Sequence, residues 1–189
     1  MPKINKTQYA ILGVLSISPK SGYNIKKFIE SSIGYFWNEN YGHIYPILKR
    51  LEQEELVVKK TELSETRPNS NIYSITEKGK KKLLDWLSEP IQKSPVRDEM
   101  LFKLFFGANV SIEENVQRIL AEKEKAIQYL KALDSIERSL HHDIQNNPDK
   151  SNELMFRLMT LRRGQYNYQT HITWCDECLE ILHKMKERS

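Results

Sequence analysis

His171, Cys175 and Cys178 stand four and then three residues apart, so a helix would bring them to one face. An imidazole and two thiolates are zinc ligands, and two neighbouring thiols can also sense redox state. The set has no fourth ligand, and Cys175 falls in an apolar helical stripe, where a thiol serves as a small apolar residue. Neither a metal nor a cofactor is expected. His141 and His142 close a helix, where a cationic side chain suits the dipole. Catalytic signatures are missing: there is no phosphate-cradling glycine loop, no Gly-x-Ser-x-Gly elbow and no His-Glu-x-x-His. The chain is not expected to be an enzyme. The other residues with a chemical use bind rather than react. Tyr41, Gly42, His43, Tyr45, Pro46 and Lys49 form one polar cluster, and Arg67, Asn69, Ser70 and Asn71 a second. Phenol, imidazole and cationic groups suit phosphate oxygens and base edges, so the expected ligand is a nucleic-acid duplex.

Charge distribution agrees with an anionic partner. Residues 1–90 hold 14 Lys/Arg against 10 Asp/Glu, whereas residues 91–189 hold 15 of each. The whole net charge of +4 thus lies in the N-terminal half. No apolar run approaches the roughly 20 residues of a membrane span, and the Ala10 to Ile17 stretch is a poor signal peptide. A cytoplasmic protein without membrane contact is expected. Two cysteines are too few for a disulfide framework.

The elements that must position the two clusters follow from periodicity. Lys6 to Ile17 reads as a first helix, with Thr7 as its cap and Ile11, Leu12 and Leu15 on one side. Ser21 caps a second helix to about Ile33, with Tyr23, Ile25, Phe28 and Ile29 as its apolar face. A third runs from about Tyr41 to Glu54 on a core stripe of Ile44, Leu48 and Leu51, with Ile47 beside it. Leu56 to Val58 and Asn71 to Ile75 read as strands of a hairpin whose tip holds Arg67 to Ser70. Thr76 caps a fourth helix carrying Leu83, Leu84, Trp86 and Leu87, which Pro90 ends.

Residues 91–96 read as a linker. Beyond it come a short apolar helix, Arg97 to Phe106, and two long ones broken at Asn146-Asn147-Pro148. The second long helix repeats apolar residues at Leu154, Leu158, Leu161, Tyr168, Ile172, Cys175, Leu179 and Leu182, a seam for another helix. These eight are the expected dimerisation residues. The fold class is mainly α: a winged helix-turn-helix (three helices, a hairpin wing, a fourth helix) over 1–90, and an antiparallel helical dimerisation arm over 97–189.

Three stretches carry a family resemblance. Gly22-Tyr23-Asn24-Ile25, Gly42 through Glu52, and Tyr73 through Gly79 followed by Leu84-Asp85-Trp86-Leu87 resemble the PadR family. The helical C-terminus is similar in layout to its longer-armed branch, which includes phenolic-acid repressors and a virulence activator. The resemblance implies a winged helix, a homodimer joined through the C-terminal helices and regulation by a small effector. It also implies that Tyr41, His43, Tyr45 and the hairpin tip face DNA; Ser21 and Tyr23 at the start of the second helix are assigned to the same surface. In one place the chain departs from the pattern: Glu54-Glu55-Leu56 stands where Glu-Gly-Leu is common. The expected function is a sequence-specific regulator on a pseudo-palindromic operator, a repressor released by a small aromatic effector. Phe102, Phe105, Phe106, Tyr166, Tyr168 and Trp174, between winged domain and arm, are the candidate effector pocket. The alternatives are an activator of the same fold and a helical protein-interaction module that binds no DNA.

Overall fold

The computed structural model describes residues 6–37, 44–62, 70–91 and 97–188. It divides into two compact units, Met1–Lys93 and Ser94–Ser189. The first holds α1 (Thr7–Ile17), β1 (Lys20–Ser21), α2 (Gly22–Ser32), α3 (Ile44–Gln53), β2 (Val57–Glu62), β3 (Ser70–Ile75) and α4 (Glu77–Leu87). Helices packed with a β2–β3 hairpin and a following helix make this the winged helix-turn-helix.

Its core is supplied by one stripe from each element. Ile11, Leu12 and Leu15 of α1, Ile25 and Ile29 of α2, and Ile44, Leu48 and Leu51 of α3 are all buried, with Leu56, Val57, Tyr73 and Leu83 closing the base. Positions 44, 48 and 51 recur at helical spacing, which is why α3 turns one side inward and leaves the other free. Side chains set the helix starts. The Ser21 Oγ accepts from the Asn24 N–H at 3.2 Å, and the Thr76 Oγ1 accepts from the Gly79 N–H at 3.0 Å. Thr7 does not cap α1: Lys6 flanks the helix without a side-chain bond, and Thr7 lies buried inside the first turn.

The sheet has strand order β1-β3-β2, all antiparallel. In the hairpin Val57 pairs with Ile75 and Glu62 with Ser70. The two-residue β1 adds Lys20 opposite Tyr73 and Ser21 opposite Ile72, tying the start of α2 to the wing. The packing differs from the periodicity at two places. Tyr23 leaves the apolar face of α2 and is 66% exposed; on α4, Leu84 and Leu87 point outward while Trp86 stacks on Tyr9 with ring centroids 4.4 Å apart. Helix α4 ends at Leu87 with Ser88 as its cap, ahead of Pro90.

Where the family pattern has glycine, Glu55 adopts φ 60. It forms the left-handed position of a helix-ending motif in which the Leu56 N–H donates to the Leu51 carbonyl at 2.8 Å and the Glu55 N–H to the Glu52 carbonyl at 3.0 Å. A side chain in that conformation costs roughly 1–2 kcal/mol, while the Glu55–Lys78 ion pair, mostly exposed, contributes little. Glu55→Gly is therefore expected to raise stability by about 1 kcal/mol, read as a higher midpoint in urea at unchanged m-value.

The second unit holds α5 (Glu99–Phe105), α6 (Ile112–Asn146) and α7 (Ser151–Lys186). A reciprocal cap starts α6: the Ser111 N–H donates to Glu114 Oε2 at 2.9 Å, and the Glu114 N–H donates to Ser111 Oγ at 3.2 Å. A short turn at Pro148–Lys150 reverses the chain, and α7 returns along α6. Ile119, Ala126, Leu133 and Leu140 of α6 and Leu154, Leu161, Cys175 and Leu182 of α7 are buried. The polar interruptions of the two seams meet each other. Gln165 donates to Asp134 at 2.9 Å and to Glu137 at 2.8 Å, Arg162 lies 2.7 Å from Glu137, and Lys123 pairs with Asp176. The Gln165 hydrogen bond, with the Arg162 and His141 charges, holds the Glu137 carboxyl below the usual carboxylate range.

This packing gives four of the eight dimerisation residues expected from sequence a role inside one chain. Leu154, Leu161, Cys175 and Leu182 are buried where α7 closes on α6 inside one chain. Leu158, Tyr168, Ile172 and Leu179, half-buried, belong to the same side of the helix.

Candidate nucleic-acid interface

Because Ile44, Leu48 and Leu51 anchor α3 in the core, Tyr45, Pro46 and Lys49 are turned outward. Tyr45 is 61% exposed, yet its position is set by packing. A Cβ on Gly22 would come within 2.6 Å of Tyr45 Cε1, so the absent side chain lets the ring lie against the first turn of α2. That contact sets Tyr45 against the first turn of α2, which Ser21 caps and on which Tyr23 is exposed. Lys27, one turn after Tyr23 and also exposed, extends this surface; sequence reasoning misses it because a single lysine on a polar face carries no signal of its own.

On the wing, Ser70 is half-buried and opposes Glu62, and exposed Asn71 accepts a hydrogen bond from Thr61 Oγ1 at 2.9 Å. Tyr41, Gly42, His43, Arg67 and Asn69 lie outside the described residues.

Ion pairs decide which cations are available. Lys78 pairs with Glu55 at 3.2 Å, Lys80 with Glu77 at 2.7 Å and Lys82 with Glu54 at 2.9 Å, so much of the lysine run on α4 is neutralised locally. The Lys82 hydrogen bond holds the Glu54 carboxyl below its ordinary value against the opposing effect of burial. Arg50 turns back to Glu54 and Gln8. Lys27 and Lys49 have no ion pair among the described residues. Unpaired positive charge among the described residues thus includes the outward sides of α2 and α3, together with exposed Lys60 on β2 and Lys81 on α4.

The other candidate chemistry dissolves on packing. Cys175 is fully buried in a cluster with Ile119 and Leu182, Cys178 is half-buried beside it, and His171 lies against Trp174 with centroids 5.3 Å apart. Among the described residues no group of three His, Cys, Asp or Glu side chains is placed to hold a metal ion. Burial pushes both thiols above their ordinary values, which keeps them in the unreactive thiol form. The native protein is expected to leave both cysteines unlabelled by a thiol reagent at neutral pH over times that modify them fully in denaturant. Rapid native labelling of Cys175 would show the cluster open.

The six aromatics assigned to an effector pocket do not form one site. Phe102, Phe105 and Phe106 make edge contacts at 5.0 and 5.2 Å and remain exposed on α5. Tyr168 stacks on Tyr129 at 5.2 Å, and Trp174 packs on the Cys175 cluster. Tyr166, two residues before Tyr168, is turned about 200° away and exposed. A cavity that periodicity does not reveal lies in the first unit instead: about 270 Å³, mainly apolar, lined by Lys6, Trp37, Trp86, Leu87, Glu89, Pro90 and Ile91.

Residues 11–85 match the transcriptional regulator PadR-like family, and residues 96–183 match the virulence activator alpha C-terminal region. This chain belongs to the PadR family. The negative transcriptional regulator PadR of Bacillus subtilis is 28% identical over 183 residues, 94% of this chain and 97% of its own length. That protein in complex with operator DNA matches with TM-score 0.81 at 26% identity, over 95% of this chain and 99% of the other. Its complex with p-coumaric acid matches with TM-score 0.69 at 25% identity, over 93% and 98%. The Vibrio cholerae virulence activator AphA matches with TM-score 0.73 at 29% identity, over 94% and 98%. Among the described residues of this PadR-family chain, no helix is long and apolar enough to cross a membrane.

Proposed function

We propose that the chain is a cytoplasmic, homodimeric repressor that reads operator DNA with the outward side of α3 and is released by a small aromatic effector. Residues 1–90 act as the reading head, 91–96 as linker and 97–189 as the dimerisation and effector arm. The observation that carries this reading is the pairing of Tyr45 and Lys49 on an exposed helix side with unpaired Lys27 nearby, on a fold shared along nearly the whole chain with a DNA-bound regulator. Helix α3 enters the major groove, where Tyr41, Gly42, His43, Tyr45, Pro46 and Lys49 contact bases and phosphates. Ser21 and Tyr23 hold the adjoining phosphates, and Arg67, Asn69, Ser70 and Asn71 follow the flanking groove. Two copies place two such heads about one helical turn apart, which makes the operator an imperfect palindrome. Binding and release account for the whole function, with no catalytic step.

The effector part rests on chemistry. The cavity beside Trp37 and Trp86 offers indole faces and the Lys6 ammonium, a fit for a planar aromatic acid of the p-coumarate kind. Selection from a random duplex pool tests the proposal: an enriched inverted repeat with half-sites one turn apart supports it, and no enrichment at low salt returns the arm to a protein-interaction role. Addition of p-coumaric acid should weaken the complex; unchanged affinity at millimolar acid removes the effector. The likeness to AphA and the match of the arm to a virulence-activator region favour one second reading, activation from the same DNA site. A promoter-reporter comparison of deleted and restored strains decides between them by its sign.

A further inference from the structure

We infer that Asn71, held by Thr61, makes the wing select A·T over G·C pairs in the minor groove beside each half-site; this rests on the wing contact of the reading above. Thr61 and Asn71 are directly opposed in the β2–β3 register, and the Thr61 hydroxyl donates to Asn71 Oδ1 at 2.9 Å. Both residues are exposed. An asparagine amide presents an acceptor at one end and two donors at the other. Thr61 occupies the acceptor, and the Nδ2 donors have no partner among the described residues. The outward group is therefore a donor in a fixed place rather than an amide free to turn.

The hairpin face that carries this pair is the one turned toward α3. Side chains alternate along a strand, so Asn71 shares its face with Tyr73, and Thr61 shares it with Lys59. Tyr73 is buried in the core, and Lys59 lies 3.6 Å from Glu52 of α3. The Tyr73 phenol, pushed up first by burial, is also raised by Glu52 and by Tyr45 of the outward side of α3. Thr61 and Asn71 stand one pair nearer the tip, about 7 Å further along the strands. Glu62, whose carboxylate phosphates would repel, alternates to the opposite face. In the minor groove an A·T pair shows only acceptors, adenine N3 and thymine O2, whereas G·C adds the guanine N2 amino donor. A donor aimed into the groove fits the first and meets another donor in the second. The wing thus reads sequence with Asn71, and Thr61 is its positioning residue.

The test uses the full chain and a duplex recovered from the random pool, with the pairs beside each half-site changed in turn to A·T, G·C or inosine·C. Inosine·C has the major-groove edge of G·C but lacks the N2 amino group. G·C at the contacted position on both sides should weaken binding about tenfold or more, and inosine·C should restore it to within about threefold of A·T. Asn71→Ala and Thr61→Val should each cut the A·T preference to about threefold or less, and Thr61→Ser should keep it. Arg67, which favours narrow A·T grooves through its charge, is present in all three variants, so a preference lost in Thr61→Val belongs to the Asn71 amide. Native circular dichroism separates that loss from unfolding, and the duplex series on the wild-type chain needs no variant. Equal binding of the three duplexes, inosine·C that behaves as G·C, a preference for G·C such as an amide turned the other way would give, or a full A·T preference in Thr61→Val overturns the assignment and leaves DNA binding standing. A pool that yields no duplex overturns the DNA reading itself.

Discussion

Gly79→Ala is expected to destabilise the winged unit by roughly 3 kcal/mol and to lower its melting temperature by about 15 °C. At an ordinary helix position the same change stabilises by up to about 1 kcal/mol, because alanine restricts the unfolded chain. The sign reverses here for a steric reason. A Cβ on Gly79 would lie 2.1 Å from the Leu56 carbonyl oxygen and 2.9 Å from Ile75 Cγ1. The first of these is backbone, held by the Thr76 N–H at 3.0 Å and by the helix-ending motif that follows α3. It cannot swing aside as a side chain could. Gly13 supplies the matched control, since nothing lies within 4 Å of its missing Cβ. Gly13→Ala should raise the melting temperature while Gly79→Ala lowers it, and equal shifts in the two variants would contradict the close approach of α4 to Leu56.

Lys49→Ala should weaken binding to duplex DNA by roughly tenfold, the value of a hydrogen bond to a charged phosphate. The effect should be nearly uniform across sequences, because a phosphate contact carries no base information. Tyr45→Phe separates the two jobs of Tyr45: it keeps the ring on Gly22 and removes only the hydroxyl, so it should reduce affinity without moving the melting temperature. Tyr45→Ala should do both, since the ring also packs the start of α2. Lys82→Ala should leave affinity nearly unchanged, because that ammonium is already engaged with Glu54. A weakening by Lys82→Ala as large as that by Lys49→Ala would move the DNA-facing surface to α4.

The features legible in the sequence are those with a local physical cause. The α3 stripe, the Ser21 and Thr76 caps and the hairpin follow from spacing and side-chain chemistry alone, and all are present. The features that are not legible depend on partners distant in the chain. The two-residue β1 is too short for any period and exists only because β3 offers it a pairing edge. Tyr23 reads as apolar by type, but Ile25 and Ile29 fill the core and leave it outside. The α7 heptads announce a seam without saying whose helix fills it, and α6 of the same chain does. Gln165 and Glu137 read as flaws in two separate stripes until the hairpin sets them 2.8 Å apart. The six arm aromatics share a residue type but not one face, and the neighbours each meets, Tyr129 for Tyr168 and the Cys175 cluster for Trp174, are set by packing distant in the chain. The Glu55 substitution is the instructive case: the motif tolerates a strained residue because Leu51 and Leu56 on either side are both buried.

Salt titration of binding to a duplex recovered from the random pool probes the DNA-facing surface most directly. Two copies each of Lys27, Lys49 and Arg67 on phosphates would displace enough counterions to give a slope of about −5 in log K against log salt. Lys49→Ala should make that slope shallower by about one for each phosphate left without its lysine. A flat salt dependence, or a Lys49→Ala protein that is fully folded and titrates like wild type, would place the duplex somewhere other than the outward side of α3.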